Sequence, residues 1–380
     1  MGAANKSVVV LGCGDVGPVH EPIAPYSTLV RPTLATGDIR FGQCERLYSD
    51  RGALQVTGLR HSRLKPHMIS VFTDCAFDVV SVAGNHAMDW GEEALLDTIA
   101  SLQERGIKTV GAGRNLEEAR RPAIIERNGL RVAFLAYCSV VNEGYAARRD
   151  RAGIAPLRVH TYYQPLEYQP GMPPKVVTIL HEADLSAMVQ DIAEARKMAD
   201  AVVLSLHWGI HFIPRLIADY QPVAAAAAFK AGADVILGHH AHIPKAIGVH
   251  DGKVCFYSLS NFVFSTQART PEQAADFARR SHGVTMDPDY PHLCFGTDAK
   301  RSLIAKAVLS REGARRVSFL PVLIDKQLRP EVLRAGDSRF DEAMRYMDWA
   351  SEGFDHTFTV EGDEIVITGG QSAATRVMSH

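Results

Sequence analysis

A chain of 380 residues with 41 Lys plus Arg against 43 Asp plus Glu, a formal net charge of −2, has no excess of positive charge with which to follow a nucleic-acid backbone. The length is large for one domain but ordinary for an α/β enzyme with insertions, and it suffices to bury a sizeable core. No run approaches the ~18 apolar residues of a membrane span, and Val8 to Leu11, preceded by the lone Lys6, is too short for a secretory h-region, so a soluble, cytoplasmic protein is expected.

Apolar runs of strand length alternate with helix-period segments, the pattern of a layered α/β fold. Residues 7–13 and 77–83 predict strands. Between Glu92 and Arg105, Leu95, Ile99 and Leu102 fall at i, i+4 and i+7, which predicts an amphipathic helix ended by Gly106. Val132 to Tyr137 predicts another strand. From Asn142 to about residue 183, Tyr145, Tyr162, Tyr163, Tyr168 and five prolines without lasting periodicity predict a long surface excursion, the kind of loop that is usually functional. A helix stripe resumes with Leu185, Met188, Val189 and Ile192. A strand at 201–207 precedes an alanine-rich helix, bracketed by Pro222 at N1 and Gly232 at C′. Strands follow at 233–237 and 254–259. A second excursion, 265–300, contains a short helix candidate from Pro271 to Arg280. The remainder predicts β structure at 302–309 and 316–324, a helix near 340–350 and a hairpin around Gly362-Asp363. The chain divides into a catalytic domain over 1–330, interrupted at 142–183 and 265–300, and a helix-and-hairpin extension over 331–380 packed on it. Six cysteines, Cys13, Cys44, Cys75, Cys138, Cys255 and Cys294, lack CxxC spacing and read as buried free thiols.

Candidate chemistry collects where apolar runs stop. Ala233 to Leu237 runs into Gly238-His239-His240-Ala241-His242, residues 77–83 run into Gly84-Asn85-His86, and residues 201–206 run into His207-Trp208-Gly209. Histidines at several strand ends converge on the crevice of an α/β sheet and suit a metal. Asp15, in Gly14-Asp15-Val16-Gly17, and Glu45 add carboxylates. Each alone reads equally as a turn or cap residue, and the combination carries the weight. On a strand His239 points opposite to its neighbours and is expected to face away from His240 and His242. Trp90 and Trp208 read as packing residues, Asn261 as a tie between strand end and site, and Arg148, Arg149 and Arg151 as a solvated charged run.

Gly14-Asp15-Val16, Gly84-Asn85-His86-Ala87-Met88-Asp89-Trp90-Gly91, Gly111-Ala112-Gly113, His207-Trp208-Gly209, the 232–242 segment and Tyr257-Ser258-Leu259-Ser260-Asn261-Phe262 together resemble the poly-gamma-glutamate capsule-biosynthesis (CapA-type) family, a branch of the calcineurin-like metallophosphoesterases. The resemblance spans residues 8–264. It implies an α/β fold in the form of a four-layer αββα sandwich. It also implies that Asp15, Glu45, Asn85, His86, His207, His240 and His242 hold one or two divalent ions (Mn, Zn or Fe), which activate a water near neutral pH. Asp15, His86 and His207 then belong to the catalytic set, with His86 protonating a leaving group or steadying developing charge. The implied activity is metal-dependent hydrolysis of a small amide, peptide or phosphoester. The expected partner is a small molecule or short peptide rather than nucleic acid or membrane, with room for a homo-oligomer.

Four departures stand out. Gly17 stands where a standard phosphoesterase has the histidine of Asp-x-His, with His20 three residues further on, and Glu45 where its second motif normally supplies an aspartate. His211 stands where many capsule-type relatives are acidic, and Ser260 replaces the usual glycine, a change that bears on backbone conformation. The missing ligand opens a second reading, a metal-independent or single-metal epimerase, isomerase or lyase in which Asp15 and a histidine of the second excursion, His292 or His282, act as acid and base. A third reading is a non-catalytic binding protein.

Overall fold

The computed structural model describes residues 6–267 and 269–369, so the extreme N-terminus and the last residues of the predicted extension lie outside the described residues. Two sheets form the body. The larger runs in the order Thr357–Glu361, Glu364–Thr368, Gly313–Ile324, Arg301–Ser310, Val8–Gly17, Ile39–Cys44, Val79–Ser81, Lys108–Val110. The smaller runs Ile247–His250, Lys253–Phe256, Val235–His239, Ala201–His207, Leu130–Cys138, Ala123–Arg127. Val8–Gly17, Ile39–Cys44, Val79–Ser81 and Lys108–Val110 are mutually parallel, as are Leu130–Cys138, Ala201–His207, Val235–His239 and Lys253–Phe256.

Alternation along each central strand divides the core. In Ala201–His207, Val203 joins the cluster between the sheets, with Val10, Phe41, Val79, Phe134 and Leu237. Val202 and Leu204 point the other way, onto Met188, Ile192, Ala224 and Ala228 of the helices Glu182–Met198 and Tyr220–Ala231. On the outer face of the larger sheet, the helix Gly91–Glu104 buries Leu95, Ile99 and Leu102, each contributing about 1.5–3 kcal/mol by area removed from water. The layers are therefore helix, sheet, sheet, helix, the sandwich that the resemblance implies. Both faces of the central strands are covered, which is why they read as continuous apolar runs.

Several elements differ from the sequence reading. The first excursion is not structureless: Val159–Gln164 pairs antiparallel with Lys175–Leu180. This hairpin leaves Tyr162, Tyr163, Val176 and Ile179 exposed, so no apolar alternation announces it. Pro222 sits in the third position of its helix, which begins at Tyr220, while Gly232 ends it in the left-handed region at φ 119°. The strand after Lys253 stops at Phe256 rather than residue 259. Of the 331–369 stretch, the helix Ser338–Ser351 packs through Phe340 and Met347, and the strand Glu364–Thr368 extends the larger sheet beside Ser318 and Phe319. All six cysteines are free and buried. Among the described residues no helix is long and apolar enough to cross a membrane.

Candidate metal centre

Parallel strands of both sheets end at one edge of the sandwich, and the candidate ligands lie at those ends. Asp15 is near the end of Val8–Gly17, beyond a register irregularity between Gly12 and Asp15, and Glu45 directly follows Ile39–Cys44. Asn85 and His86 occupy the turns after Val79–Ser81, His207 closes Ala201–His207, and His240 and His242 follow Val235–His239. Gly14 permits this convergence: a Cβ there would lie 2.0 Å from the Ser260 carbonyl oxygen, which accepts the Asp15 N–H at 2.9 Å. His240 (φ 90°) and His242 (φ 56°) adopt positive backbone angles that cost on the order of 1–3 kcal/mol each, and such strain clusters at functional sites.

Glu45 is 2% exposed, and neither of its carboxylate oxygens has a hydrogen-bond partner. Its Oε1 lies 3.7 Å from His242 Nε2 and 4.0 Å from His86 Nε2, and its Oε2 lies 3.7 Å from His207 Nε2. His207 Nε2 also lies 2.8 Å from Asn85 Oδ1 and 3.2 Å from His240 Nδ1. One proton on that nitrogen can serve one of these acceptors, whereas a divalent cation serves all of them. Asp15, Glu45 and His242 each offer a ligand atom within 4.8 Å of the others. Burial, with the neighbouring Asp15 adding to it, pushes the Glu45 carboxyl well above its ordinary range. Burial also holds His207 and His240 well below the ordinary imidazole value and His242 at about 3. These rings are neutral at pH 7 with lone pairs free, the state that metal ligation needs. The orphaned oxygens and neutral nitrogens fit a divalent ion.

Neighbouring side chains orient the set. Asn261 donates from Nδ2 to the carbonyls of His242 (3.1 Å) and Ala299 (3.0 Å), so its Oδ1 accepts from His242 Nδ1 at 2.8 Å and leaves the Nε2 lone pair toward Glu45. His86 Nδ1 donates to Asp89 Oδ2 at 2.8 Å, and Asp89 Oδ1 accepts from the Tyr145 hydroxyl at 2.7 Å. Burial alone would raise the Asp89 carboxyl, but the hydrogen bonds from His86, Ser62 and Tyr145 outweigh it and hold it below its usual value. Trp208 stacks on Tyr257 and donates to that residue's carbonyl, a packing role, while Arg63 lies over the ring of Trp90.

Asp15, Glu45, Asn85, His86, His207, His240 and His242 thus come together. His292 keeps other company: its ring packs edge-on against His20 at 4.5 Å, whereas the polar neighbours of Asp15 are His239, His240 and His242. His282 lies among Phe212, Phe277 and Phe295. Sequence reasoning missed several participants. His239 was expected to face away from the site, and its Nδ1 lies 3.2 Å from Asp15 Oδ1, both residues fully buried. It shares the inter-sheet face of Leu237, which touches Gly12, so alternation counted from Leu237 would have placed it over the first strand. His211 lies over His240 with ring centroids 3.8 Å apart, and Arg46 is buried beside Gly17. The contact of Asp89 with Tyr145 escaped the sequence because it crosses 56 residues.

Two curated relatives are similar to this chain: the PGA biosynthesis protein CapA of Bacillus subtilis, 33% identical over 54% of this chain and 47% of its own length, and the capsule biosynthesis protein CapA of Bacillus anthracis, 28% identical over 74% of this chain and 66% of its own length. The matches thus span about half to two thirds of those relatives. Among solved structures, the calcineurin-like phosphoesterase YfkN of Bacillus subtilis aligns over 91% of this chain and 96% of its own, with 10% identity and a TM-score of 0.44. The profile described as "Bacterial capsule synthesis protein PGA_cap" matches residues 14–266, which include every residue of the converged site, and the chain belongs to that family.

Proposed function

We infer that the protein is a metal-dependent hydrolase acting on a small amide, peptide or phosphoester. The observation that carries the reading is the buried Glu45 carboxylate, both oxygens without hydrogen bonds, held between the neutral imidazoles of His207 and His242. Such a group is costly to bury without a cation. Asp15, Glu45, Asn85, His207, His240 and His242 would hold the ion, with His86 beside them. A divalent ion supplies Lewis acidity, lowering the pKa of a water and polarising the bond under attack.

The chain's own groups do the rest. His86, its side chain 18% exposed, stands at the mouth with Nδ1 held by Asp89 and Nε2 3.2 Å from Asn85 Nδ2, so Nε2, once protonated, would be the atom that passes a proton to the leaving group. Asp89 keeps the ring in one tautomer, and Tyr145 steadies Asp89. Both excursions reach the site: Tyr145 belongs to the first, and Phe295 of the second stacks on His242 at 4.4 Å. Substrate choice therefore resides in them, and a small molecule or short peptide suits a site so enclosed.

The test is metal content by plasma mass spectrometry in wild type and His240→Ala, followed by turnover of activated phosphoesters and peptides by the reloaded protein. At least about one equivalent, lost in His240→Ala, with turnover that follows reloading, supports the reading. A wild-type protein that takes up no Mn, Zn or Fe after reconstitution refutes it and returns attention to acid–base chemistry at Asp15.

A further inference from the structure

The hairpin of the first excursion stands apart from both sheets. Val159–Gln164 pairs only with Lys175–Leu180, and the two strands make a sheet of their own. An isolated pair of strands is marginally stable in water, and a third strand or more is needed to sustain a sheet. The stem is nevertheless fixed to the body. The Arg158 carbonyl accepts the His181 N–H at 2.8 Å, and Thr178 Oγ1 accepts the Tyr220 N–H at 3.2 Å.

Strand geometry tells which edge is open. The Thr178 N–H points away from Val159–Gln164, toward Asp219 Oδ2 at 3.4 Å, so the far edge of Lys175–Leu180 runs against the start of the helix Tyr220–Ala231. Thr161 stands opposite Thr178, and residues opposed in an antiparallel pair direct their backbone groups alike. Thr161 and, two residues on, Tyr163 therefore aim N–H and C=O outward, where no strand pairs with them among the described residues.

The edges of the two large sheets are guarded. Lys108–Val110 begins on Lys108, Ala123–Arg127 ends on the exposed Glu126 and Arg127, and Thr357–Glu361 ends on Glu361. Ile247–His250 gives its Ile247 and Val249 N–H groups to Ser351 Oγ and the Asp355 carbonyl. Charge and cover of this kind keep an edge from recruiting another strand. Val159–Gln164 has neither: it contains no Asp, Glu, Lys, Arg, Pro or Gly. On and beside it Tyr162, Tyr163, Leu166, Tyr168, Val176 and Ile179 are each more than half exposed. Three tyrosines and three aliphatic side chains exposed to that degree present roughly 800 Å², the order of what one partner contributes to a stable interface.

The occupant that fits is a second copy of this chain. From Val159 to Leu180 the formal charges are Glu167 and Lys175, which cancel, so like surfaces meet without repulsion. A two-fold pairing also uses up the open edge of each copy and stops there, because the other edge of the hairpin is already set against Asp219 and Tyr220. We propose that the protein is a two-fold dimer in which Val159–Gln164 pairs antiparallel with the same strand of a second copy, making one four-stranded sheet across the axis. The proposal does not depend on the metal-centre reading.

Sedimentation equilibrium of the full-length protein tests it, with Thr161→Pro and Tyr163→Lys as variants. Proline at 161 removes an outward N–H and leaves the hydrogen bonds within the hairpin intact, and lysine at 163 guards the edge with charge. Wild type at about 10 μM is expected at twice the chain mass, and both variants, folded by circular dichroism, at the chain mass, with dimerisation weakened at least about tenfold. Should Thr161→Pro not fold, Tyr163→Lys decides, since it alters an exposed side chain. A wild type that stays at the chain mass up to about 100 μM overturns the proposal and leaves the edge to a strand of a different protein. A dimer that persists unchanged in folded Tyr163→Lys overturns it as well, because the contact then lies on another face. Assembly that grows beyond two copies also overturns it, since the two-fold pairing closes.

Discussion

Asp89 receives His86 Nδ1 on one carboxylate oxygen at 2.8 Å and the Tyr145 hydroxyl on the other at 2.7 Å, so the ring at the mouth of the site is held by a carboxylate that is itself held from the first excursion. Asp89→Asn removes the charge and can present an N–H to His86 Nδ1. The expected result is a fall in kcat of about 10–100-fold on an activated phosphodiester, with metal content by mass spectrometry unchanged. Unaltered kcat would show that His86 does not transfer the proton.

Asn261 bears on metal affinity rather than on proton transfer. Asn261→Leu keeps the volume, frees the His242 ring from its fixed tautomer and leaves two buried carbonyls without a donor. Affinity for Mn(II), measured by calorimetry, is expected to weaken about 10–100-fold. Stability is expected to fall by about 1–3 kcal/mol. An unchanged dissociation constant would remove His242 from the ligand set.

Ser260 stands at φ 70° with its hydroxyl buried and unpartnered, although its backbone oxygen and nitrogen are used. Ser260→Gly relieves a left-handed L-residue and an unsatisfied hydroxyl together. The variant is expected to be more stable by about 1 kcal/mol in urea unfolding, despite the greater freedom of glycine in the unfolded chain. A less stable variant would mean that the hydroxyl has a partner in solution.

Asp184 carries a pH dependence far from the centre. Burial alone would raise its carboxyl, but the side-chain fork and backbone N–H of Arg158, with His181 beside them, outweigh this and hold it below its ordinary value. A carboxyl depressed in the folded state binds fewer protons there than in the unfolded chain. Its contribution is therefore complete above the unfolded value near 4 and is lost as pH falls through the lower folded value. Asp184→Asn is expected to cost about 1–2 kcal/mol at pH 7, a modest figure because Arg158 is half-exposed to solvent, with wild type and variant converging in acid. Denaturation curves at pH 7 and pH 3 that differ equally would contradict this assignment.

What could be read without coordinates was whatever depends on local order. Strand-length apolar runs, the helix stripe of Leu95, Ile99 and Leu102, and the histidines that stop three strands all follow from period and from the rule that parallel strands deliver their ends to one edge. That was enough for the α/β class and for seven residues that do converge. The hairpin Val159–Gln164 with Lys175–Leu180 escaped because both its faces are largely exposed and no alternation marks it. Tertiary structure alone decided the partnerships between segments distant in sequence: His239 over Asp15, Tyr145 on Asp89, and Arg46 over Gly17. Each depends on how the two sheets and the excursions stack, a relation of side chains across layers that spacing along one chain does not encode.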